Sequence, residues 1–219
     1  MRFKLTLRPA YGSSCILPLN YQYELGAWIY RTLYEANPTF ASWLHEKGYV
    51  ERGKKFKLFS YSHFLFRDGD YKIFKAEQQI GVRGSFDLII SIAVDEAAIH
   101  FITGVFAQKN LQIVNKFAWA ELKVHHIERL PDPIWLGTTY KFRCISPMCV
   151  STKLTPESKH QTYLAPDHEL FTKILFDNLY SKYKILKEIG RFSEAHNWVN
   201  NNKESSASES LFDFKLLNS

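Results

Sequence analysis

The chain has 219 residues, 46% apolar and 23% charged, which allows one large domain or two small ones with a real core and excludes global disorder. No apolar run approaches the roughly 20 residues of a membrane span, and Met1 to Pro9 alternates where a signal peptide would be continuously apolar; the expectation is a soluble, cytoplasmic protein. Lys and Arg number 28 against 22 Asp and Glu, a net +6, and an N-terminal third that carries nearly all of this excess suits either contact with phosphates or a solvated basic face.

Through residue 63 the basic residues are Arg2, Lys4, Arg8, Arg31, Lys47, Arg52, Lys54, Lys55 and Lys57, and the acidic ones Glu24, Glu35, Glu46 and Glu51. Cys15, Cys144 and Cys149 are an odd set in a chain of this length, so no disulfide framework is expected.

Met1 to Pro9 reads as a half-buried strand with Phe3, Leu5 and Leu7 inward and Arg2, Lys4 and Arg8 outward. After the turn Tyr11-Gly12-Ser13-Ser14, Asn20 is placed to cap a helix to about Asn37, with Leu25, Trp28, Ile29 and Leu33 toward the core and Tyr23, Gly26, Tyr30 and Tyr34 on a neighbouring stripe. Asn37-Pro38 opens a short second helix closed by Gly48, with Phe40, Ala41 and Leu44 inward and His45 in its last turn. Glu51 to Lys57 is a charged loop leading into a strand from Phe56 to Phe66, and Tyr71 to Arg83 is a strand or hairpin. Ser85 to Val94 has the apolar density of a central strand. Asp95 is placed to cap a helix to about Gln108, and Leu111 to Leu130 supplies one or two strands. The order through Leu130 is β-α-(α)-β-β-α-β, that of a ferredoxin-like fold.

Pro131-Asp132-Pro133 reads as a break. Beyond it a strand from Thr139 to Val150, a helix from Pro166 to about Tyr183 carrying Leu170, Ile174, Leu175 and Leu179, and a strand from Ser210 to Leu217 follow, with a polar, serine-rich connection before the last. This second half stops one helix and one strand short of a full ferredoxin-like unit. The expected fold is therefore α+β, two ferredoxin-like (RRM-like) domains in tandem, 1–130 and 131–219, the second incomplete at its C-terminus.

Dinucleotide, P-loop, zinc-protease and hydrolase motifs are all missing from the chain. His125-His126 lies in a strand, where neighbours face opposite ways and cannot share an ion, and Cys144 and Cys149 lack a second pair. No metal and no cofactor is expected. What remains is His45 with Tyr30 and Lys57 in the basic third. Metal-free RNA cleavage needs a base at a 2′-hydroxyl, an acid at the leaving 5′-oxygen and positive charge for the transition state, and His, Tyr and Lys supply them. The same histidine also reads as an ordinary surface residue favoured by a helix C-terminus.

A resemblance bears on that choice. Met1-Arg2-Phe3, Leu17-Pro18-Leu19-Asn20-Tyr21, Ile29-Tyr30, Trp43-Leu44-His45, Lys57-Leu58-Phe59-Ser60-Tyr61-Ser62, Ile145-Ser146-Pro147-Met148-Cys149-Val150, Tyr163-Leu164 and Asp177-Asn178-Leu179 with Lys182-Tyr183 resemble, in order, the CRISPR repeat-RNA endoribonucleases of the Cas-six family in the RAMP superfamily. The resemblance implies a tandem ferredoxin-like fold and cleavage of CRISPR precursor RNA within its repeats, giving 5′-hydroxyl and 2′,3′-cyclic phosphate ends. It implies His45 as principal acid/base, Tyr30 as its partner at the 2′-hydroxyl and Lys57 as the transition-state cation. Arg2, Lys4, Arg8, Lys54 and Lys55 are then candidate phosphate contacts, with Arg143 and Lys153 beside the Ser-Pro block as candidate repeat contacts from the second unit. Partners implied are CRISPR repeat RNA, other CRISPR effector subunits and a second copy of the chain, with a non-cleaving RNA-binding subunit as the other functional reading. The family's glycine-rich loop before its last strand has no counterpart here, since the last glycine is Gly190.

Overall fold

The computed structural model describes residues 1–132, 142–153 and 160–190. The chain divides into two compact units, Met1–Tyr49 with Lys57–Ser146, and Val50–Phe56 with Pro147–Ser219. It is a mixed α/β protein whose sheets are antiparallel. No helix among the described residues is long and apolar enough to cross a membrane.

In the first unit the chain runs β1 (Arg2–Pro9), β2 (Ser14–Pro18), α1 (Gln22–Ala36) and α2 (Pro38–Glu46). After a hairpin of β3 (Tyr49–Glu51) and β4 (Lys54–Phe56) it continues through β5 (Phe59–Tyr61), β6 (Tyr71–Phe74), β7 (Gln79–Arg83), β8 (Phe86–Ile92), α3 (Asp95–Ala107), β9 (Asn110–Val114) and β10 (Trp119–Leu130). The main sheet has the order β5-β8-β1-β10-β9, and β2-β7-β6 form a smaller sheet. With the excursions set aside, β1-α1-β5-β8-α3-β10 is a β-α-β-β-α-β path, with the first strand in the middle of the sheet.

Alternation produces the core directly. Phe3, Leu5 and Leu7 of β1, Phe86, Leu88, Ile90 and Ile92 of β8, Leu111 and Ile113 of β9, and Leu122 and Val124 of β10 are all buried in one cluster with Leu25, Trp28, Ile29 and Leu33 of α1. Each such side chain contributes about 1.5–3 kcal/mol by leaving water. Helices α1 and α3 meet where Trp28 and Phe101 pack edge to face at 5.8 Å. Gly104 makes the close approach possible, because a Cβ there would lie 1.9 Å from the Thr32 carbonyl oxygen.

Several expectations need correction. Asn20 does not cap α1: Tyr21 is the N-cap residue and makes no side-chain cap bond. Asp95 is likewise the first residue of α3, after Val94 as N-cap. Asn37 does cap α2, its Oδ1 accepting from Phe40 N–H at 3.0 Å. The expected strand from Phe56 to Phe66 is split, since Leu58 takes φ +55° and ends one strand before β5 begins. The charged loop is a tight hairpin whose two turn residues, Arg52 and Gly53, both have positive φ as that turn requires. The β1–β10 register slips between Thr6 and Leu7 of β1, leaving His125 of β10 as an extra bulged residue. His125 and His126 are therefore both exposed, where strict alternation would have separated them.

In the second unit β11 (Val150–Thr152) pairs antiparallel with β12 (Thr162–Leu164), and α4 (Glu169–Glu188) follows. Val150, Leu164 and Phe171 form its core, with Leu170, Ile174 and Leu175 packed against them. Leu179, expected inward, is 42% exposed, and the buried face of α4 continues instead through Ser181 and Ile185. His168 caps α4, its Nδ1 accepting from Leu170 N–H at 3.1 Å. Of the strand expected over Thr139 to Val150, residues 142–149 are irregular and only Val150 is extended; residues 139–141 and the strand expected over Ser210 to Leu217 lie outside the described residues.

Candidate active site

α1 and α2 meet at Asn37, and that junction turns Tyr30, two turns before the end of α1, toward the last turn of α2. The Tyr30 and His45 rings are perpendicular, 84° apart in plane, with centroids 5.1 Å apart. Phe59 of β5 closes on the same tyrosine at 5.7 Å. His45 is exposed, whereas Tyr30 is half-buried. Burial, with a smaller contribution from the neighbouring Tyr61 phenol, pushes the Tyr30 hydroxyl above its ordinary pKa, so it carries its proton near neutrality.

Lys57 completes the group from beyond the β3–β4 hairpin. The last carbonyls of a helix have no intrahelical donor, and the Lys57 ammonium donates to two of them, those of Leu44 and His45, the latter at 2.6 Å. The left-handed turn at Leu58 immediately afterwards sends the chain into β5. The ammonium thus sits at the negative end of the α2 dipole and ties the backbone of His45 in place. A protonated phenol beside an exposed imidazole, and a cation on the backbone of that same histidine, are brought together although they are separated by up to 27 positions in sequence (57 minus 30).

The outer basic residues fall differently. Arg2 donates from its terminal guanidinium nitrogen to the Pro131 carbonyl at 2.8 Å. Lys4 pairs with Glu128 at 2.6 Å, and their hydrogen bond raises the lysine pKa and lowers that of the carboxylate. Arg8 is exposed opposite Lys123 on β10. Lys54 and Lys55 are exposed on β4 in the second unit, as is Lys153. Arg143 is exposed and clusters with the first unit. Three of these seven are therefore carried by β1, two by β4 and two by the segments before and after β11, whereas Tyr30, His45 and Lys57 belong to α1, α2 and the residue before Leu58. Among the described residues no group of three or more His, Cys, Asp or Glu side chains is gathered to hold a metal ion.

Sequence reasoning passed over the residues that extend the site. Tyr61 donates its hydroxyl proton to the Gln22 carbonyl at 3.0 Å, and the Gln22 side-chain nitrogen lies 3.3 Å from His63 Nδ1. The signal was present as two spacings: Gln22, Gly26 and Tyr30 at four-residue steps on α1, and Phe59, Tyr61 and His63 at two-residue steps along β5 and its continuation.

Two family descriptions match the chain, CRISPR-associated protein Cas6, N-terminal, over residues 16–123 and CRISPR associated protein Cas6, C-terminal, over residues 130–215. The chain belongs to the Cas6 family. It is 29% identical over 185 residues to the CRISPR-associated endoribonuclease Cas6 1 of Methanocaldococcus jannaschii, covering 84% of this chain and 66% of that protein. It is also 29% identical over 187 residues to the CRISPR-associated endoribonuclease Cas6 of Pyrococcus furiosus, covering 84% and 64%. The chain thus spans just under two thirds of these relatives. Among solved structures, one described as CRISPR associated protein Cas6 matches with TM-score 0.63 and 28% identity over 86% of this chain and 72% of that one. A second, described as an RAMP protein binding different RNA substrates, matches in fold with TM-score 0.67 at 22% identity over 89% and 74%.

Proposed function

We propose that this Cas6 chain is a metal-independent endoribonuclease that cuts CRISPR precursor RNA within its repeats, leaving 5′-hydroxyl and 2′,3′-cyclic phosphate ends. The observation that carries the reading is the Tyr30–His45 contact at 5.1 Å with the Lys57 ammonium on the carbonyl of the same histidine. Relatives bearing the endoribonuclease name support it. The same reading takes the fold as two ferredoxin-like domains in tandem, 1–130 and 131–219. It places the protein in the cytoplasm and gives it repeat RNA, other effector subunits and a second copy of the chain as partners.

In this reading His45 moves protons between the 2′-hydroxyl and the leaving 5′-oxygen, since an imidazole can serve as either acid or base near neutrality. Tyr30, held protonated by burial, orients the imidazole or donates to the reacting oxygen; it is not the base. Lys57 acts first by holding the last turn of α2, and its charge stabilises the developing phosphorane-like dianion. Arg2, Lys4, Arg8, Lys54, Lys55, Arg143 and Lys153 neutralise RNA phosphates, which makes affinity salt-dependent.

The test is incubation with repeat RNA in EDTA, beside a copy with a 2′-deoxy substitution at the scissile nucleotide. Cleavage of the first alone is expected, and cleavage of both overturns the 2′-hydroxyl mechanism. Salt-dependent binding without cutting of either assigns the chain to a non-cleaving RNA carrier. His45→Ala should lose a factor of about 10²–10⁴ in rate while RNA binding persists; full activity of that variant moves the proton chemistry elsewhere.

A further inference from the structure

A line of polar contacts leads away from the His45–Tyr30 pair along the seam between α1 and β5. Tyr30 is next to the Tyr61 phenol, which perturbs it electrostatically. Tyr61 bonds to the Gln22 carbonyl at 3.0 Å, and Gln22 and Tyr21 reach His63 Nδ1 at 3.3 and 3.4 Å. Between the two ends lies Gly26, where an added Cβ would meet only the Tyr61 hydroxyl, at 3.2 Å, and nothing else within 4 Å. The helix surface is therefore notched, with a phenol hydroxyl in the notch.

The partners of His63 favour one tautomer of its ring. The Tyr21 hydroxyl accepts from the Phe64 N–H at 2.9 Å, so its own proton is left for His63 Nδ1, and the Gln22 amide donates to the same nitrogen. Nδ1 is the acceptor, and the ring proton resides on Nε2. Among the described residues Nε2 has no partner. His63 is half-buried, with its ring edge-on to Tyr21 at 6.4 Å, which holds its plane. This is an oriented donor with its other face already fixed.

The spacing gives the donor a use. Gln22 and Tyr30 are eight residues apart on α1, about 12 Å along the axis, which corresponds to two backbone steps of an extended single strand. Tyr30 of α1 and Phe59 and Tyr61 of β5 are half-buried aromatics of the two elements that form the seam, and aromatic rings hold bases of single strands by stacking where their faces are open. We propose that the α1–β5 seam is a nucleotide subsite, and that His63 Nε2–H and the Gln22 side chain contact the nucleotide two steps from the cleaved bond. The inference rests on the endoribonuclease reading. The acceptor on the RNA is a base edge or a phosphate oxygen of that nucleotide.

The experiment is cleavage of a randomised single-stranded RNA library in EDTA, with cut sites read by sequencing, by the parent chain and by the His63→Gln and Gln22→Ala variants. His63→Gln keeps a hydrogen-bonding side chain for the Tyr21 contact, and thermal melts establish that each variant is folded. A base-edge contact predicts that the parent's preference at the second nucleotide falls about tenfold in both variants while preferences flanking the cut persist. A phosphate contact predicts unchanged preferences with KM raised about tenfold and kcat retained. Identical preferences and identical KM in folded variants overturn the subsite. If the parent does not cut, the endoribonuclease reading fails by itself, and binding of the 2′-deoxy library then decides the subsite: weakening in both variants supports it, and unchanged binding removes it.

Discussion

Two glycines mark the two sides on which α1 is packed, and they sit in opposite surroundings. On the α3 side, Gly104 is buried, and a methyl group there would land 1.9 Å from the backbone oxygen of Thr32, with the Thr32 carbonyl carbon and methyl also within 3.0 Å. On the β5 side, Gly26 is only half-buried, and a methyl group there would meet a single hydroxyl at 3.2 Å. The first glycine is required by the fold, because backbone cannot yield. The second leaves room above a polar floor, which is what a surface approached by a flexible polymer needs. The same residue type thus separates the face of α1 that makes the core from the face that we assign to RNA.

The largest effect expected from this contrast is on the core side. Gly104→Ala should destabilise the protein by about 4 kcal/mol or more, because the two helices must separate to admit the methyl group. A melting temperature within a few degrees of the parent would show that the helices cross less tightly than a 1.9 Å approach implies. Circular dichroism on purified protein is sufficient to decide it.

Next comes the anchor beneath the seam. Tyr21 is 3% exposed, and burial pushes its hydroxyl up to about 12, against a smaller lowering by the Phe64 N–H. Its folded pKa lies above its unfolded value near 10, so the stabilisation is complete below pH 10 and is lost as pH rises toward 12. Denaturant unfolding of the parent should therefore lose roughly 2–3 kcal/mol across that interval from this group. Tyr21→Phe should be less stable at neutral pH yet show a shallower alkaline slope; an unchanged slope would place the alkaline titration on other tyrosines.

Lys57→Met should cost about 1–2 kcal/mol in stability, since the carbonyls of Leu44 and His45 lose a charged donor at the end of α2. If Lys57 acts partly by holding His45, this variant should also shift the pH profile of cleavage. A loss confined to kcat with an unmoved profile would favour a purely transition-state role.

These residues also indicate what a single sequence discloses. Strand β1, the Asn37 cap and the buried stripe of α1 follow from local periodicity, because each is decided within a few residues. Asn20 and Asp95 fail as caps since a capping side chain does not determine where the chain enters the helix. The bulge at His125 and the left-handed Leu58 are set by pairing across the sheet and by the path into β5, which local pattern does not encode. At the site, Tyr30, His45 and Lys57 were accessible through resemblance. His63 and Gln22 were not, because their relation exists only once α1 lies against β5.

The smallest stability effect is the sharpest test of the comparison. In Gly26→Ala the new methyl group crowds the Tyr61 hydroxyl at 3.2 Å, which shifts a side chain and its 3.0 Å bond to the Gln22 carbonyl. Against that, alanine gains up to about 1 kcal/mol in helix propensity over glycine. The two oppose each other, so the net change should stay within about 1 kcal/mol, several-fold below that of Gly104→Ala. RNA should nevertheless feel the filled notch: KM is expected to rise while kcat, which our proposal assigns to His45, moves less. A Gly26→Ala protein with parental stability and parental KM would mean that RNA does not approach α1 at this turn, and the glycine would then be explained by the Tyr61 hydroxyl alone.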